Sequence, residues 1–361
     1  MRECKQMQIP VHKAAELKPK PDQAKLGFGR FFTDHMFVME YRENQGWHQA
    51  RIVPYAPLQL DPAALVFHYA QAVFEGMKAF RSPEGKVLLF RPEQNMRRLN
   101  RSNERMCIPA FDEQFMLGAI KKLVALEKDW IPTESGTSLY IRPFIIATDA
   151  VLGVRASSSY KFVVILSPVG PYYPEGINPI SIHVECRYVR AVRGGTGSAK
   201  AAGNYAGGLK AQENSKKEGH AQVLWLDALE QKYVEEVGAM NVFFNLGGEL
   251  VTPDLGDTIL PGVTRDSVIK LLRSWNIPVV ERRLSMDEVA AAQREGRLAE
   301  AFGCGTAAVI SPIGKLSWQG TTIKIGGGKI GAVSRRLYDT ITGIQNGVLP
   351  DQFQWTVDAE S

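Results

Sequence analysis

The chain has 361 residues, 45% of them hydrophobic and 22% charged, and its 43 basic and 38 acidic side chains leave a net charge of +5. That length suits about two domains with a sizeable core, and the composition excludes a disordered, collagenous or coiled-coil chain. The mild, scattered positive charge argues against nucleic acid as a partner, and apolar runs such as Phe162–Leu166 are too short to span a bilayer.

Residues 1–26 read as a polar, proline-containing arm with no apolar stretch of the secretory type. From Gly27 onward short apolar strands alternate with helical stretches. Strands are predicted at Phe37–Tyr41, Val87–Phe90, Ser138–Pro143 and Tyr160–Leu166, and helices at Ala63–Phe74, Pro92–Met106 and Asp112–Trp130. The run SPVGPYYPEGINP, residues 167–179, holds four prolines and two glycines, which neither a helix nor a central strand tolerates. It marks a boundary. Beyond it, strands are expected at Ile180–Cys186, Gln222–Asp227, Val242–Asn245 and Ala307–Ile310. Helices are expected at Tyr205–Glu218, Thr264–Trp275, Ser285–Gly296 and Gly331–Asn346. The expected organisation is an arm (1–26), a smaller α/β domain (27–167), a linker (168–180) and a larger domain (181–361). The mixed order of elements makes the fold class α/β or α+β.

Four cysteines, Cys4, Cys107, Cys186 and Cys304, are too few for a disulfide framework and none forms a CxxC pair, so a reducing cytoplasm is expected. The six histidines show no HExxH or paired spacing, which argues against a metal centre.

Chemistry concentrates at a few places. Residues 194–200, GGTGSAK, resemble a phosphate loop, but Ala201 stands where that motif needs a hydroxyl. Lys200 is flanked by Ala199, Ala201, Ala202 and Gly203. Such surroundings solvate an ammonium poorly and free the amine as a nucleophile; a plain surface lysine is the alternative. Glu236 sits among apolar residues in VEEVGAMN, either as an inward carboxylate needing a positive partner or as a solvated strand end. Arg97, Arg101 and Arg105 share one helical face that reads as solvated, which leaves Arg98 to point inward. LPGVTR, residues 260–265, opens a helix and is either a phosphate site or an ordinary helix start. GCGTAA, residues 303–308, runs straight into apolar residues and reads as an anion-facing turn at Thr306 and Ala307 rather than a dinucleotide motif. Lys329, in GGGKIG, is a second possible lysine, with a glycine loop before a helix as the simpler account.

Taken in order, HYAQAVFEGMKAF, FRPEQNMRRLNRS, SLYIRP, VGPYYPEG, RGGTGSAKAAGNYAGGL, EEVGAMNVFF, LPGVTRDSV, FGCGTAAVISP and GAVSRRLYDTITGIQ resemble the branched-chain aminotransferases, which are class IV (fold type IV) enzymes using pyridoxal 5′-phosphate. The resemblance covers roughly residues 27–350. It implies two domains with the cofactor between them, and a homodimer in which Tyr69 and Arg142 reach into the partner's site. It implies that Lys200 is the Schiff-base lysine, that Tyr205 bonds the cofactor's phenolic oxygen and that Glu236 pairs with the pyridine nitrogen. Arg98, Val263, Thr264 and Thr306 match the phosphate grip, and Arg190 an arginine close to the cofactor. Tyr69, Phe74, Tyr140 and Tyr172 match the aromatic substrate wall, Arg142 the arginine that meets the side-chain carboxylate of glutamate, and the amides of Thr306 and Ala307 the substrate-carboxylate site. The implied reaction is ping-pong amino transfer between L-leucine, L-isoleucine or L-valine and 2-oxoglutarate.

Two departures stand out. Ala308, Val309, Ile310 and Ser311 replace a CxxC pair found in some members, and Ala239 stands where some carry a threonine. A D-amino acid aminotransferase, an aminodeoxychorismate lyase and an inactive binding protein are the rival readings. Chain length and Tyr140-x-Arg142 disfavour the first two, and the intact Lys200, Tyr205 and Glu236 set disfavours the third.

Overall fold

The computed structural model describes residues 8–172 and 177–361. They divide into two compact units. The first takes the chain up to Tyr172 together with Ala199–Gly203 and Gly343–Ser361; the second takes the chain from there to Ser198 and Asn204–Thr342. Cys4 and residues 173–176 of the proline-rich run lie outside the described residues.

The first unit is built on β1 (His35–Arg42), β2 (Gly46–Pro54), α1 (Leu65–Tyr69), β3 (Ala72–Phe74), β4 (Met77–Arg81), β5 (Val87–Phe90), α2 (Pro92–Arg105), α3 (Glu113–Leu126), β6 (Ser138–Ala147) and β7 (Ser159–Val169). Its antiparallel sheet runs from the C-terminal strand Thr356–Asp358 through β5, β4, β6, β7 and β1 to β2, with β3 also on β6. The C-terminal strand was expected in the second domain; its register on β5, Thr356 to Phe90 and Asp358 to Leu88, places it in the first. The core joins Phe37, Leu89, Leu139, Phe162 and Leu166 of the sheet to Met96 and Leu99 of α2 and Met116, Ile120 and Leu123 of α3. Those helical positions recur every three or four residues, as one buried face requires. α2 starts on Pro92, and α3 is capped by the Asp112 carboxylate, which accepts from the Phe115 amide.

The helix expected over Ala63–Phe74 is shorter. It ends where Ala70 turns left-handed (φ 49°), and Ala72–Phe74 leave as a strand opposite Phe144–Ile146. Pairing against β6 outweighs local helical periodicity there. The arm is not loose from residue 8 onward. The Ile52 amide and carbonyl pair with Pro10 and His12, the Lys18 amide bonds Asp34, and the Gln23 side-chain oxygen accepts from the Thr133 and Glu134 amides.

The second unit holds β8 (Ile180–Val184), α4 (Ala202–Lys217), β9 (Gln222–Leu226), β10 (Val234–Val237), β11 (Asn241–Leu246), β12 (Glu249–Thr252), α5 (Val263–Ser274), β13 (Val279–Glu281), α6 (Met286–Arg294), β14 (Leu298–Gly305), β15 (Val309–Trp318), β16 (Thr321–Lys324) and α7 (Ala332–Gln345). The mixed sheet has the order β10-β9-β8-β15-β14-β11-β12-β13, with β16 also on β15. β8 lies parallel to both neighbours, and β11, β14 and β15 form an antiparallel run. Val242, Phe244, Val251, Leu284, Val289 and Leu316 centre its core. The strand expected at Ala307–Ile310 begins at Val309 and runs to Trp318, because Thr306–Ala308 form the turn of the β14–β15 hairpin and Val309 opens the return strand at φ 60°. Residues 326–331 are indeed a glycine loop before a helix. Gly331 has no room for a side chain beside Glu300, whose carboxylate caps α7 by accepting from Ser334 N and Oγ (2.8 and 2.6 Å), and Lys329 is exposed. Among the described residues no helix is long and apolar enough to cross a membrane.

Candidate active site

In the first unit the backbone around Lys200 is stitched to strand and helix. Its amide donates to Ser102 Oγ of α2 (2.9 Å), its carbonyl accepts from the Phe74 amide (3.0 Å), and Ala201 bridges Val73. The side chain is half-buried, with Nζ 4.8 Å from the centre of the Phe74 ring. Arg142 lies over the same ring at 4.7 Å, and its Nη2 donates to the Tyr140 hydroxyl (3.1 Å). Tyr140 and Arg142 alternate along β6 and so share a face. Opposite them Gly76 is a requirement, since a Cβ there would overlap the Tyr140 hydroxyl.

Arg97, Arg101 and Arg105 are exposed and Arg98 is buried. Its partner is Glu75, 0% exposed, joined by Nε–Oε1 (2.7 Å) and Nη2–Oε2 (2.9 Å). Asn95 Nδ2 and the Gly76 amide complete the carboxylate's contacts. Burial pushes the Glu75 carboxyl up, but the Arg98 guanidinium, with help from Lys200 and Asn95, holds it below its ordinary value. Two residues in contact with candidate site residues are not picked out by the sequence reading. Glu75 carries the signal of a lone acid in the apolar run AVFEGMKAF. Phe28 carries the signal of an aromatic between two glycines, Gly27 and Gly29, with φ near 60° and 67°. Phe28 packs edge-on to Tyr140 (4.9 Å) and Tyr172 (6.2 Å) and makes those three one aromatic wall. Tyr69 stands differently. It is 41% exposed, its hydroxyl bonds the Leu152 carbonyl, and Phe67, Leu152 and Val154 add further exposed apolar surface.

In the second unit Glu236 is buried at 3% exposure. The Leu260 amide donates to its Oε1 (2.8 Å), and Arg190 Nε lies 3.3 Å from Oε2. Arg190 is aimed by the Gly197 and Thr258 carbonyls, which accept from its Nη2. The β10 register slips between Val234 and Glu236, and that irregularity buries Glu235 as well; burial raises the Glu235 carboxyl. The glycine-rich loop is pinned to two neighbouring segments, the one at Asp257 and the start of α4. The Gly194 amide donates to Asp257 Oδ2 (2.7 Å), the Ser198 amide to the Asp257 carbonyl (2.9 Å), and Asn204 Nδ2 to the Thr196 carbonyl (2.7 Å). Tyr205 follows one residue later, half-buried in the first turns of α4. Val263 and Thr264 open α5, whose N-cap is Gly262. That glycine brings no side chain to the first-turn amides, and a Cβ on it would overlap Asn241 Oδ1. Thr306 and Ala307 sit, half-buried, on the β14–β15 turn. Cys304, two residues before, is buried, and burial pushes its thiol up to about 12, so it stays protonated and inert.

A lysine amine over an aromatic face, a buried carboxylate facing an arginine and a helix start open to anions are the parts of amine–carbonyl chemistry on a phosphorylated ring. Residues 72–316 match the family Amino-transferase class IV. Two Bacillus subtilis (strain 168) proteins, Branched-chain-amino-acid aminotransferase 2 and Branched-chain-amino-acid transaminase 1, are each 59% identical to this chain over 97% of it and over 96% and 99% of their own lengths. The chain belongs to the class IV aminotransferases, in the branched-chain-amino-acid aminotransferase family. The crystal structure of Escherichia coli branched-chain amino acid aminotransferase superposes with TM-score 0.75 at 26% identity, over 90% of this chain and 99% of that one. In this class IV aminotransferase the matched span runs from β3 to β15 and holds every site residue named above except Phe28 and Tyr69.

Proposed function

We propose that the chain is a pyridoxal 5′-phosphate-dependent aminotransferase moving the amino group between L-leucine, L-isoleucine or L-valine and 2-oxoglutarate. The observation that carries this reading is the 59% identity over 97% of the chain to relatives bearing that name. The residues fit the cofactor by their chemistry: a primary amine at Lys200, a buried carboxylate at Glu236, and cationic and amide donors suited to a phosphate dianion at Arg98, Val263 and Thr264. When bound, pyridoxal 5′-phosphate supplies an aldehyde for amine exchange and a ring that takes up carbanion charge.

This chain's residues supply the rest. Lys200 Nζ holds the cofactor and then carries the α-proton of the amino acid. Glu236 keeps the ring nitrogen protonated, with Arg190 beside it, and the Tyr205 hydroxyl bonds the phenolic oxygen. Thr306 joins Arg98, Val263 and Thr264 on the phosphate, and Glu75 fixes the Arg98 guanidinium from behind. The amides of Thr306 and Ala307 take the α-carboxylate. Phe74, Tyr140, Tyr172 and Tyr69 form the apolar wall, and Arg142 meets the distal carboxylate of glutamate. One methylene changes affinity by only about 1–3 kcal/mol, so all three branched side chains are used. The chain works in the cytoplasm as a homodimer, and the dimer is supported by the exposed apolar Phe67, Leu152 and Val154 around Tyr69.

The test is 2-oxoglutarate-dependent loss of L-leucine, followed with the visible absorbance of the purified protein. The expected result is a band that bleaches on L-leucine and returns with 2-oxoglutarate, with both activity and band abolished in Lys200→Ala. A band that ignores L-leucine and answers D-leucine overturns the substrate; no band after added pyridoxal 5′-phosphate overturns the cofactor.

A further inference from the structure

The end of α4 folds back onto β8. Gly219, at φ 81°, turns the chain, the His220 amide donates to the Ser215 carbonyl (3.0 Å), and the Ala221 amide donates to the Ser181 carbonyl (2.8 Å). Only glycine adopts that conformation freely. The turn sets His220 and Glu218 beside His183 of β8, and one ligand atom from each of the three residues lies within 4.8 Å of the others. His183 Nδ1 is 3.6 Å from Glu218 Oε2, and the two imidazole centres are 5.7 Å apart. Three features set this cluster apart from a solvated charge pair. The 3.6 Å separation is too long for a hydrogen bond. His183 Nδ1 is buried and has no hydrogen-bond partner. The His220 ring is oriented through Nδ1 by the Ser181 hydroxyl (2.7 Å), the outer bond that aims a metal-binding imidazole.

We propose that His183, Glu218 and His220 form a binding site for one borderline divalent transition cation, with Zn2+ as its best match. Two imidazoles and one carboxylate are the ligand set of a three-residue zinc site that keeps further positions for water. Mg2+ and Ca2+ demand mostly oxygen and are not served here. Zinc–ligand bonds of about 2.0–2.1 Å place neighbouring ligand atoms a little over 3 Å apart, so small side-chain rotations close the site. Lys315, paired with Ser181 across β15 and β8, is the nearby cation that opposes binding; it is exposed and can swing into solvent. None of the three ligands is assigned to transamination. The bound ion ties the end of α4 to β8, so its effect is on the stability of the second unit.

The experiment titrates Zn2+ into the purified full-length protein against a chromogenic chelator, with thermal unfolding read in parallel. One equivalent per chain is expected, with a Tm rise of a few degrees. Glu218 is exposed, so Glu218→Gln leaves the fold and the transamination rate unchanged while weakening Zn2+ at least about tenfold. His183→Ala/His220→Ala abolishes the saturable uptake and the Tm rise, and Cys107→Ser/Cys186→Ser changes neither. Absence of saturable uptake, equal uptake by wild type and Glu218→Gln, or uptake lost with the cysteines would each overturn the site.

Discussion

At the residue scale the Glu75–Arg98 pair governs most. Both side chains are out of water and bonded twice to each other, so removing one charge strands the other. Glu75→Gln is expected to cost roughly 3–5 kcal/mol in urea unfolding. The pH dependence follows from the lowered carboxyl of Glu75. A depressed native pKa gives stability that is present above the unfolded-state value of about 4.3 and is lost as pH falls through the lower native value. The difference between wild type and Glu75→Gln should therefore be complete at pH 6 and shrink below about pH 4; a constant difference would contradict it. Arg142 gives a second residue-scale expectation. It lies over Phe74 and is bonded to Tyr140, and it is the residue proposed to meet the distal carboxylate of glutamate. Arg142→Ala should raise KM for 2-oxoglutarate by more than about tenfold and alter KM for leucine far less. Equal effects on both substrates would remove that role. Arg98 was legible as the one inward arginine of its helix because helical spacing alone separates it from Arg97, Arg101 and Arg105. Its partner was not, because nothing local links residues 75 and 98.

At the element scale, loops whose glycines are forced by close approach hold the second-unit residues. A Cβ at Gly197 would stand 2.5 Å from the Thr258 carbonyl and 2.6 Å from the Ala191 Cβ. Backbone cannot yield as a flexible side chain does, so Gly197→Ala should cost about 1–3 kcal/mol. Because Thr258 and Gly197 also aim Arg190, the variant should hold pyridoxal 5′-phosphate more weakly, read as a higher concentration needed to restore activity. Unchanged stability and unchanged cofactor demand would show that the loop has room. Helix starts and turns were legible here: Pro92, the Asp112 cap and LPGVTR all announce themselves in sequence. The slip in β10 was not, since the run VEEV shows no break in pattern; it becomes visible only from the partner register on β9.

For the whole molecule, each unit is organised around a sheet of its own, antiparallel in the first and mixed in the second. The lysine segment Ala199–Gly203, which interrupts the second unit in sequence, and the C-terminal strand Thr356–Asp358, which follows it, both join the first unit. Self-association belongs to this scale. Phe67, Tyr69, Leu152 and Val154 are 60%, 41%, 66% and 82% exposed, an apolar surface that water disfavours. Light scattering should give about twice the chain mass of 40.0 kDa, and Val154→Glu should shift the protein toward monomer with loss of activity. A monomeric wild type would exclude the dimer.

The sequence by itself determined the class of chemistry. It did so through the ordered set of motifs that resembles the branched-chain aminotransferases; Lys200 among small residues, the acid in VEEVGAMN and the helix start at LPGVTR each left a plain structural alternative open when read alone. Local periodicity also set the helices of the first unit, where a buried stripe every three or four residues needs no knowledge of the partner. Only the tertiary structure decided which distant groups meet. Glu75 finds Arg98, Phe28 finds Tyr140 and Tyr172, the C-terminal strand finds β5, and His183 finds His220 across 37 positions. The physical reason is common to all four. Hydrogen-bond, ring and ligand contacts depend on distance in space, and strand pairing brings together segments whose separation along the chain carries no local mark.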